Sequence, residues 1–232
     1  MSYLKNLESA LKKASNPKEA QVMAKYMRNQ FTFYGVRAPI ARELFKEHIS
    51  VYGLPESFSE LILSVKKAWK FPAREMQYIG MYLVDKSEKI WDYKDMEDLF
   101  EHMITNLSWW DTVDYISSSL VHQWWIKNPE FVDKVIAPKW NYSNNMWLNR
   151  TSIIYKLRRR KQTDTKILSD HILKHAQSKE FFLQKAIGWA LREYAKINKD
   201  WVLQFVAQHD LKPLSKREAL KQIKAGKIKK PW

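Results

Sequence analysis

The chain has no cysteine, which excludes disulfide bonds, thiolate catalysis and zinc sites with cysteine ligands. Glycine is scarce as well, with five residues in 232, and no Gly-x-Gly-x-x-Gly, Walker or Gly-x-Ser-x-Gly pattern occurs. The phosphate loops of nucleotide-binding α/β sheets and the nucleophile elbow of α/β-hydrolases are therefore missing. No apolar stretch approaches the ~20 residues that span a bilayer. Because the start, MSYLKNLESALKK, also lacks an apolar run, we expect a cytoplasmic protein without signal peptide or membrane anchor.

Acidic residues are few relative to basic ones. The 25 Asp and Glu residues face 40 Lys and Arg residues, which gives a formal net charge of +15. A globular protein this basic usually binds a polyanion, either nucleic acid or an anionic membrane, although charge for solubility alone is the plain alternative. The basic residues cluster in KLRRRK (156–161) and in QIKAGKIKK (222–230). Cations at the end of a helix also have a local explanation in the helix dipole.

Apolar residues follow the helical period through most of the chain, and no convincing alternating strand pattern occurs. Helices are predicted over residues 2–14, 17–29, 39–52, 57–69, 73–86, 94–106, 109–122, 129–137, 145–160, 164–177, 180–196, 200–208 and 215–224.

Four of these segments resemble one another, namely REMQYIGMYLV (74–84), WWDTVDYISSSL (109–120), MWLNRTSIIYKL (146–157) and KAIGWALREYA (185–195). Asp114 and Arg150 are 36 residues apart, and Arg150 and Trp189 are 39 residues apart. A period in the high thirties with two helices per repeat is typical of HEAT-like arrays, in which every second helix lines a concave face. We predict an all-α, HEAT-like α-α superhelical solenoid, a single domain over residues 1–232, with a concave basic groove. An irregular helical bundle is the alternative.

When the segment SWWDTVDYISSSL (108–120) is placed on a helix, it has one row of residues that face the core (the core stripe) and a candidate N-terminal cap. The residues predicted to face the core, at spacings of 4, 3 and 4, are Trp109, Val113, Ile116 and Leu120. Ser108, with Asp111 three residues later, resembles a capping box, although that motif normally has Glu or Gln at the second position. The charge of Asp111 would also meet the positive end of the helix dipole.

Trp110 and Asp114 are left outside the core stripe, one above the other on the helix. A half-buried tryptophan beside a solvated aspartate is the plain interpretation. The more specific hypothesis is that the Trp110 ring and the Asp114 carboxylate both face the concave surface and contact a ligand there. In a solenoid, Arg150 on the next inner helix and Trp189 on the one after it would converge with them.

His171 and His175 have the i, i+4 spacing of a metal-binding pair. The chain has no His-Glu-x-x-His motif, and the segment offers no third ligand. We therefore interpret them as a surface pair and predict no metal site.

Five segments, in order along the chain, resemble the HEAT-like DNA glycosylases of the AlkD type, which excise alkylated purines. The segments are KYMRNQFTFYGVRAPIAREL (25–44), WWDTVD (109–114), NRTSI (149–153), GWALREYAK (188–196) and LKPLSKREALK (211–221).

The resemblance implies a role for each matching residue. It makes Asp114 the catalytic aspartate, with Trp110 and Trp189 as the active-site tryptophans. It makes Arg150 a contact to the DNA backbone beside the lesion, and it places Tyr26 on the DNA face with Arg37 at a nearby variable position. With the basic positions of the inner helices, the predicted DNA-contacting residues are Arg150, Tyr26, Arg37, Arg192, Arg158, Arg159 and Arg160.

The activity implied is that of a monofunctional glycosylase of base-excision repair, working without a cofactor as a monomer on double-stranded DNA that contains alkylated purines. A purine alkylated at N3 or N7 is a cationic leaving group, so one carboxylate without an acid partner suits its release. No lysine belongs to the four-residue set, so lyase chemistry is not expected. The alternative is a non-catalytic HEAT-like module that binds damaged or branched DNA, or an acidic protein.

Overall fold

The computed structural model describes residues 3–226, apart from the side chains of Arg158, Arg160 and Lys161. The predicted all-α class is confirmed, because the only β feature in that range is an isolated bridge between Thr32 and Ala73. The α-helices are α1 (Tyr3–Lys13), α2 (Pro17–Tyr26), α3 (Ala38–Tyr52), α4 (Phe58–Ala68), α5 (Arg74–Lys86), α6 (Met96–Thr105), α7 (Trp110–Tyr115), α8 (His122–Lys127), α9 (Pro129–Val135), α10 (Met146–Ile154), α11 (Thr165–Lys174), α12 (Phe181–Tyr194), α13 (Lys199–Gln208) and α14 (Pro213–Lys224). None of them is long and apolar enough to cross a membrane.

Helix starts follow the capping chemistry of the sequence. Prolines occupy the first turns of α2, α3, α9 and α14, where a missing N–H costs no helical bond. The Asn145 side chain accepts hydrogen bonds from the backbone N–H groups of the two residues after Met146 and so fixes the start of α10. The predicted cap at Ser108 is wrong. The N-cap of α7 is Trp109, one residue later, and it makes no side-chain capping bond.

Two segments wind as π-helix. Ile116–Val121 joins α7 to α8, so the helix predicted to end at 122 runs on to Lys127, and Ile136–Trp140 extends α9. In the first segment the Ser117 and Ser118 hydroxyls donate to the carbonyl oxygens four residues earlier, at 2.6 and 2.7 Å. Hydroxyls that bond these carbonyls compete with the backbone N–H groups, which fits a widened turn.

The contacts along the chain divide into two compact units, residues 1–107 and 108–232. In the first unit, α1, α3, α4 and α5 pack on one another around buried leucines of α1 and α4. The Glu75 carboxylate of α5 is fully buried there and accepts the backbone N–H groups of Tyr34, Gly35 and Val36 at 3.1, 2.9 and 3.1 Å. It thereby fixes the loop between α2 and α3. A single repeat domain over residues 1–232 stays a prediction.

In the second unit, α10 packs against both α12 and the α7–π segment. These three elements carry three of the four segments that resemble one another in sequence. Their adjacency is the order that a stack of helix pairs requires, because every second helix lies on the same side. Behind them, an apolar cluster from α10, α11, α12, α13 and α14 forms the core, with Ile154, Ile172 and Leu191 fully buried.

The interpretation of His171 and His175 as a surface pair is wrong. His171 is buried, and its Nδ1 lies 2.8 Å from the Ser152 carbonyl oxygen, while His175 Nε2 lies 3.0 Å from that of Asn141. Burial lowers the pKa of both rings. The pair therefore joins α11 to the backbone of its neighbours.

Candidate active site

Asp114 and Arg150 meet across the contact between α7 and α10. Arg150 Nε donates to Asp114 Oδ1 at 2.7 Å and Nη2 donates to Oδ2 at 2.8 Å, which makes a two-pronged pair. Nη1 donates to the Phe182 carbonyl oxygen at 2.5 Å. The Arg150 side chain is 5% exposed and that of Asp114 is 21% exposed. Three hydrogen bonds thus hold the buried arginine in place, while the Asp114 carboxylate stays partly exposed.

Local contacts explain why these two helices hold the pair in register. Every residue of α10 from Leu148 to Ile154 is buried, so the helix has little freedom to rotate. Ser117 Oγ of the π segment lies 2.8 Å from Thr151 Oγ1, one residue after Arg150. The Asn149 amide donates to the carbonyl oxygens of Trp140, Asn141 and Ser143, which anchors the start of α10.

The open side of Asp114 faces a cavity of about 290 Å³. The structure brings together there the four residues that the repeat predicts to converge. The lining residues are Trp110, Asp114, Arg150, Phe181, Phe182, Lys185, Trp189 and Arg192. All of them lie on α7, α10 and α12.

An aromatic cluster lies beside the cavity. The ring of Trp109 is 6.1 Å from that of Trp147 and 5.1 Å from that of Phe182, and the last two are 4.9 Å apart. The cluster joins the N-terminal ends of α7, α10 and α12. Trp109 is half-buried, whereas the other three members of the predicted core stripe are fully buried. The stripe is therefore core, with its first residue packed on neighbouring rings.

Arg192 is held by Glu218 of α14. Its Nη1 donates to Glu218 Oε2 at 2.8 Å and to the Glu218 carbonyl oxygen at 3.1 Å, while Lys185 Nζ lies 3.0 Å from Oε1. Burial acts to raise the pKa of Glu218, but Lys185 and Arg192 outweigh it, so the pKa is lowered overall. The carboxylate stays ionised between two cations.

The remaining predicted DNA-contacting residues belong to other segments of the chain. In the first unit, Tyr26 ends α2 with 69% of its surface exposed, and Arg37 precedes α3 and pairs with Glu19 at 2.7 Å. In the second unit, Arg159 lies 4.3 Å from the centre of the Trp125 ring. The side chains of Arg158 and Arg160, like the tail lysines 227, 229 and 230, lie outside the described residues.

Three functional candidates were not predicted from the sequence. Lys185 stands four residues before Trp189, so the helical period that singled out Trp189 could have found it. The Phe182 carbonyl and Glu218 carry no such signal, since neither a backbone acceptor nor an inward-facing glutamate marks a sequence pattern.

Among residues 3–226, no three His, Asp or Glu side chains lie close enough to hold a metal ion. A family model described as DNA alkylation repair enzyme matches residues 7–223. The chain belongs to the DNA alkylation repair enzyme family. A solved structure of a predicted DNA alkylation repair enzyme from Enterococcus faecalis is similar in fold, with a TM-score of 0.82 and 27% identity over 89% of this chain and 95% of that one. No curated protein matches the chain.

Membership in the DNA alkylation repair enzyme family indicates that DNA is the polyanion that the net positive charge of the chain suits. The match covers every residue of the cavity, from Trp110 to Arg192. In this chain the candidate site is a carboxylate fixed by two bonds from an arginine, in a cavity lined by tryptophans.

Proposed function

We propose that the protein is a monofunctional DNA glycosylase of base-excision repair. It hydrolyses the N-glycosidic bond of N3- and N7-alkylated purines, such as 3-methyladenine and 7-methylguanine, in double-stranded DNA and leaves an abasic site. It acts in the cytoplasm as a HEAT-like monomer without a cofactor. The observation that carries the proposal is the Asp114 carboxylate, fixed from behind by Arg150 and open to a cavity lined by Trp110 and Trp189.

The chemistry needs only one carboxylate. A purine alkylated at N3 or N7 carries a positive charge, so the C1′–N bond breaks with its electron pair neutralising the base. The sugar then develops oxocarbenium character, which a fixed anion stabilises. Water adds to C1′ and loses a proton to solvent or to Asp114. Because Arg150 donates to both oxygens, Asp114 needs no reorganisation as the charge develops.

Trp110 and Trp189 supply aromatic faces to the cationic nucleotide and its sugar. A cation over a tryptophan ring is attracted by the ring's quadrupole, an effect of about 0.5–2 kcal/mol. Both residues are half-buried and line the cavity. They thus favour the charged base over the uncharged product.

Arg150 combines two roles in this proposal. Three of its five N–H donors are used by Asp114 and Phe182, so the position of the carboxylate depends on it. The two donors that remain suit the backbone contact implied by the family resemblance. Tyr26, Arg37 and Arg192 remain proposed DNA contacts.

The environment of Lys185 supports hydrolysis without a lyase step. A lysine that forms a Schiff base must be a neutral amine in a desolvated site. Lys185 lines the cavity, but its side chain is 38% exposed and its Nζ is paired with the Glu218 carboxylate at 3.0 Å. The expected product is therefore an intact abasic strand.

The deciding experiment measures the release of 7-methylguanine and 3-methyladenine from methylated duplex DNA by mass spectrometry. Wild type is expected to release base, and Asp114→Asn is expected to lose on the order of 10²–10³-fold in rate while still binding the duplex. Asp111→Asn is the matched control, because Asp111 lies on the same helix but does not line the cavity. It should keep the wild-type rate.

Two results would contradict the proposal. Unchanged release by Asp114→Asn would remove Asp114 from the mechanism. A wild type that binds DNA yet releases no alkylated base would favour the non-catalytic module.

A further inference from the structure

We propose that Lys185 and Arg192 form a two-cation phosphate site on either side of Trp189, and that Glu218 is the positioning residue that sets the separation of the two cations. The inference rests on the proposed function, since it concerns the DNA strand at Asp114. Neither Lys185 nor Glu218 was predicted from the sequence as part of the site.

The two cations and the tryptophan share one face of α12. Trp189 follows Lys185 by four residues and precedes Arg192 by three, which places the three side chains in one row. Seven residues of helix put the two Cα positions about 10 Å apart along the axis, and bonds to the same Glu218 carboxylate bring the two charged groups closer together than that. All three side chains line the cavity that holds Asp114. Along this face of α12, the Trp189 ring therefore lies between two cations, in the cavity that also holds the Asp114 carboxylate.

This row matches one nucleotide of a DNA strand. Each nucleotide has a sugar between two phosphates, and phosphates are the groups that lysine and arginine side chains bind most often in DNA complexes. A sugar between Trp189 and Asp114 would have one phosphate towards each end of the row. The arrangement thus fits the strand without contacting a base edge.

Glu218 connects the two cations from the far side. Its Oε1 lies 3.0 Å from Lys185 Nζ and its Oε2 lies 2.8 Å from Arg192 Nη1, so each oxygen holds one cation. The residue is 8% exposed and does not line the cavity. Lysine has three N–H donors and arginine has five, so both keep donors for phosphates after bonding Glu218. The three side chains together retain one positive charge.

The approach of α14 to α12 depends on Gly188, directly before Trp189. A Cβ at Gly188 would overlap the Cβ of Glu218 and would lie 3.0 Å from the Ser215 carbonyl oxygen. Because the glycine has no side chain, α14 comes close enough for Glu218 to reach both cations. The close packing of the α12 and α14 backbones therefore sets the position of the Glu218 carboxylate.

The test compares two fluorescein-labelled duplexes, one unmodified and one with a single tetrahydrofuran abasic analogue that presents a sugar without a base. Wild type is expected to bind the analogue duplex more tightly. Glu218→Gln is expected to lower the ratio of the two affinities about tenfold, because an amide oxygen can hold only one of the cations. Its affinity for unmodified duplex should hold or rise, since one negative charge is lost.

Two controls separate positioning from packing. Glu130→Gln makes the same chemical change at an exposed site in the first turn of α9 and should leave the ratio unchanged. In a Lys185→Met/Arg192→Met background, adding Glu218→Gln should change the ratio no further, because residues that act as a unit are non-additive. Should Glu218→Gln not fold, Lys185→Met alone must lower the ratio and reduce the salt slope of binding by about 0.9.

Three outcomes would overturn the inference: a wild type with equal affinity for the two duplexes, an unchanged ratio in Glu218→Gln, or an equal loss in the double-substituted background. Base release by wild type, measured on the same preparation, tests the proposed function separately. A wild type that releases base while Glu218→Gln keeps the ratio would refute the phosphate site alone.

Discussion

Arg150 and Asp114 form a two-pronged ion pair of 2.7 and 2.8 Å between residues that are 36 positions apart in the chain. The arginine is the more buried partner, and its third bond, to the Phe182 carbonyl, ties α10 to the first turn of α12. One guanidinium thus fixes the relative position of three helices that line the cavity. The orientation of the carboxylate and the packing of the helices depend on the same residue.

Replacing Arg150 with lysine should damage catalysis more than stability. Lysine keeps the charge but cannot donate two parallel bonds, so Asp114 gains freedom to turn. We expect base release to fall about 10–100-fold for Arg150→Lys in single-turnover measurements. Arg150→Met, which leaves Asp114 without its partner, should also lower the free energy of unfolding by about 2 kcal/mol in urea titrations.

Arg42→Lys provides the matched control, because Arg42 is an exposed residue of α3 that contacts the Tyr82 ring and does not line the cavity. Its release rate should remain that of wild type. If Arg150→Lys also released base at the wild-type rate, the fork would have no part in positioning Asp114.

The sequence predicted the site best where helical geometry alone decided it. The spacing of Val113, Ile116 and Leu120 predicted three residues that are fully buried, and it left Asp114 outside them. The 36-residue interval predicted Arg150 on the neighbouring inner helix, where the structure places it beside Asp114. Both predictions use only the period of a helix and the order of a repeat.

Features that depend on tertiary contacts could not be predicted in this way. A glutamate on an amphipathic helix has the same sequence pattern whether it faces water or a buried cation, so Glu218 gave no signal. His171 and His175 look like a surface pair at i, i+4 in the sequence, because their carbonyl partners, Ser152 and Asn141, lie on other segments. The π-helix after α7 likewise depends on serine hydroxyls that bond carbonyls within the fold.

Gly188→Ala should destabilise the protein, although alanine is the better helix former. At an exposed helical site this substitution stabilises by about 1 kcal/mol. Here the added methyl group would overlap Glu218 Cβ and press on the Ser215 carbonyl oxygen, so α12 and α14 must move apart. We expect the free energy of unfolding to fall by about 1–3 kcal/mol in urea titrations.

The same substitution should also weaken the preference for the abasic-analogue duplex, since Glu218 would no longer reach Lys185 and Arg192 together. A stabilised Gly188→Ala variant would show that the two helices separate at no cost. In that case backbone packing would not set the position of Glu218.

Acid should destabilise the second unit through His171. Burial lowers the pKa of this ring and outweighs the opposing effect of its bond to the Ser152 carbonyl, so the native state loses the proton at a lower pH than the unfolded chain does. Below the ordinary histidine pKa near 6.5, the unfolded state therefore binds more protons than the native state. The free energy of unfolding then decreases as the pH is lowered. The limiting slope is about 1.4 kcal/mol per pH unit for each proton, and above pH 6.5 this contribution is constant.

Urea titrations of wild type and His171→Asn at pH 7.5 and 5.5 measure that contribution. The asparagine amide can donate to the Ser152 carbonyl in place of Nδ1 and does not titrate, so the variant should lose less stability between the two pH values than wild type does. His48 and His102, whose pKa values burial also lowers, remain in both proteins and contribute equally to both. The pKa of His175 is lowered by burial and also by the charge of His171, so its own loss should be smaller in the variant as well. Equal losses in the two proteins would mean that His171 takes up its proton in the native state as readily as in the unfolded chain, which its burial beside Ser152 and Tyr155 argues against.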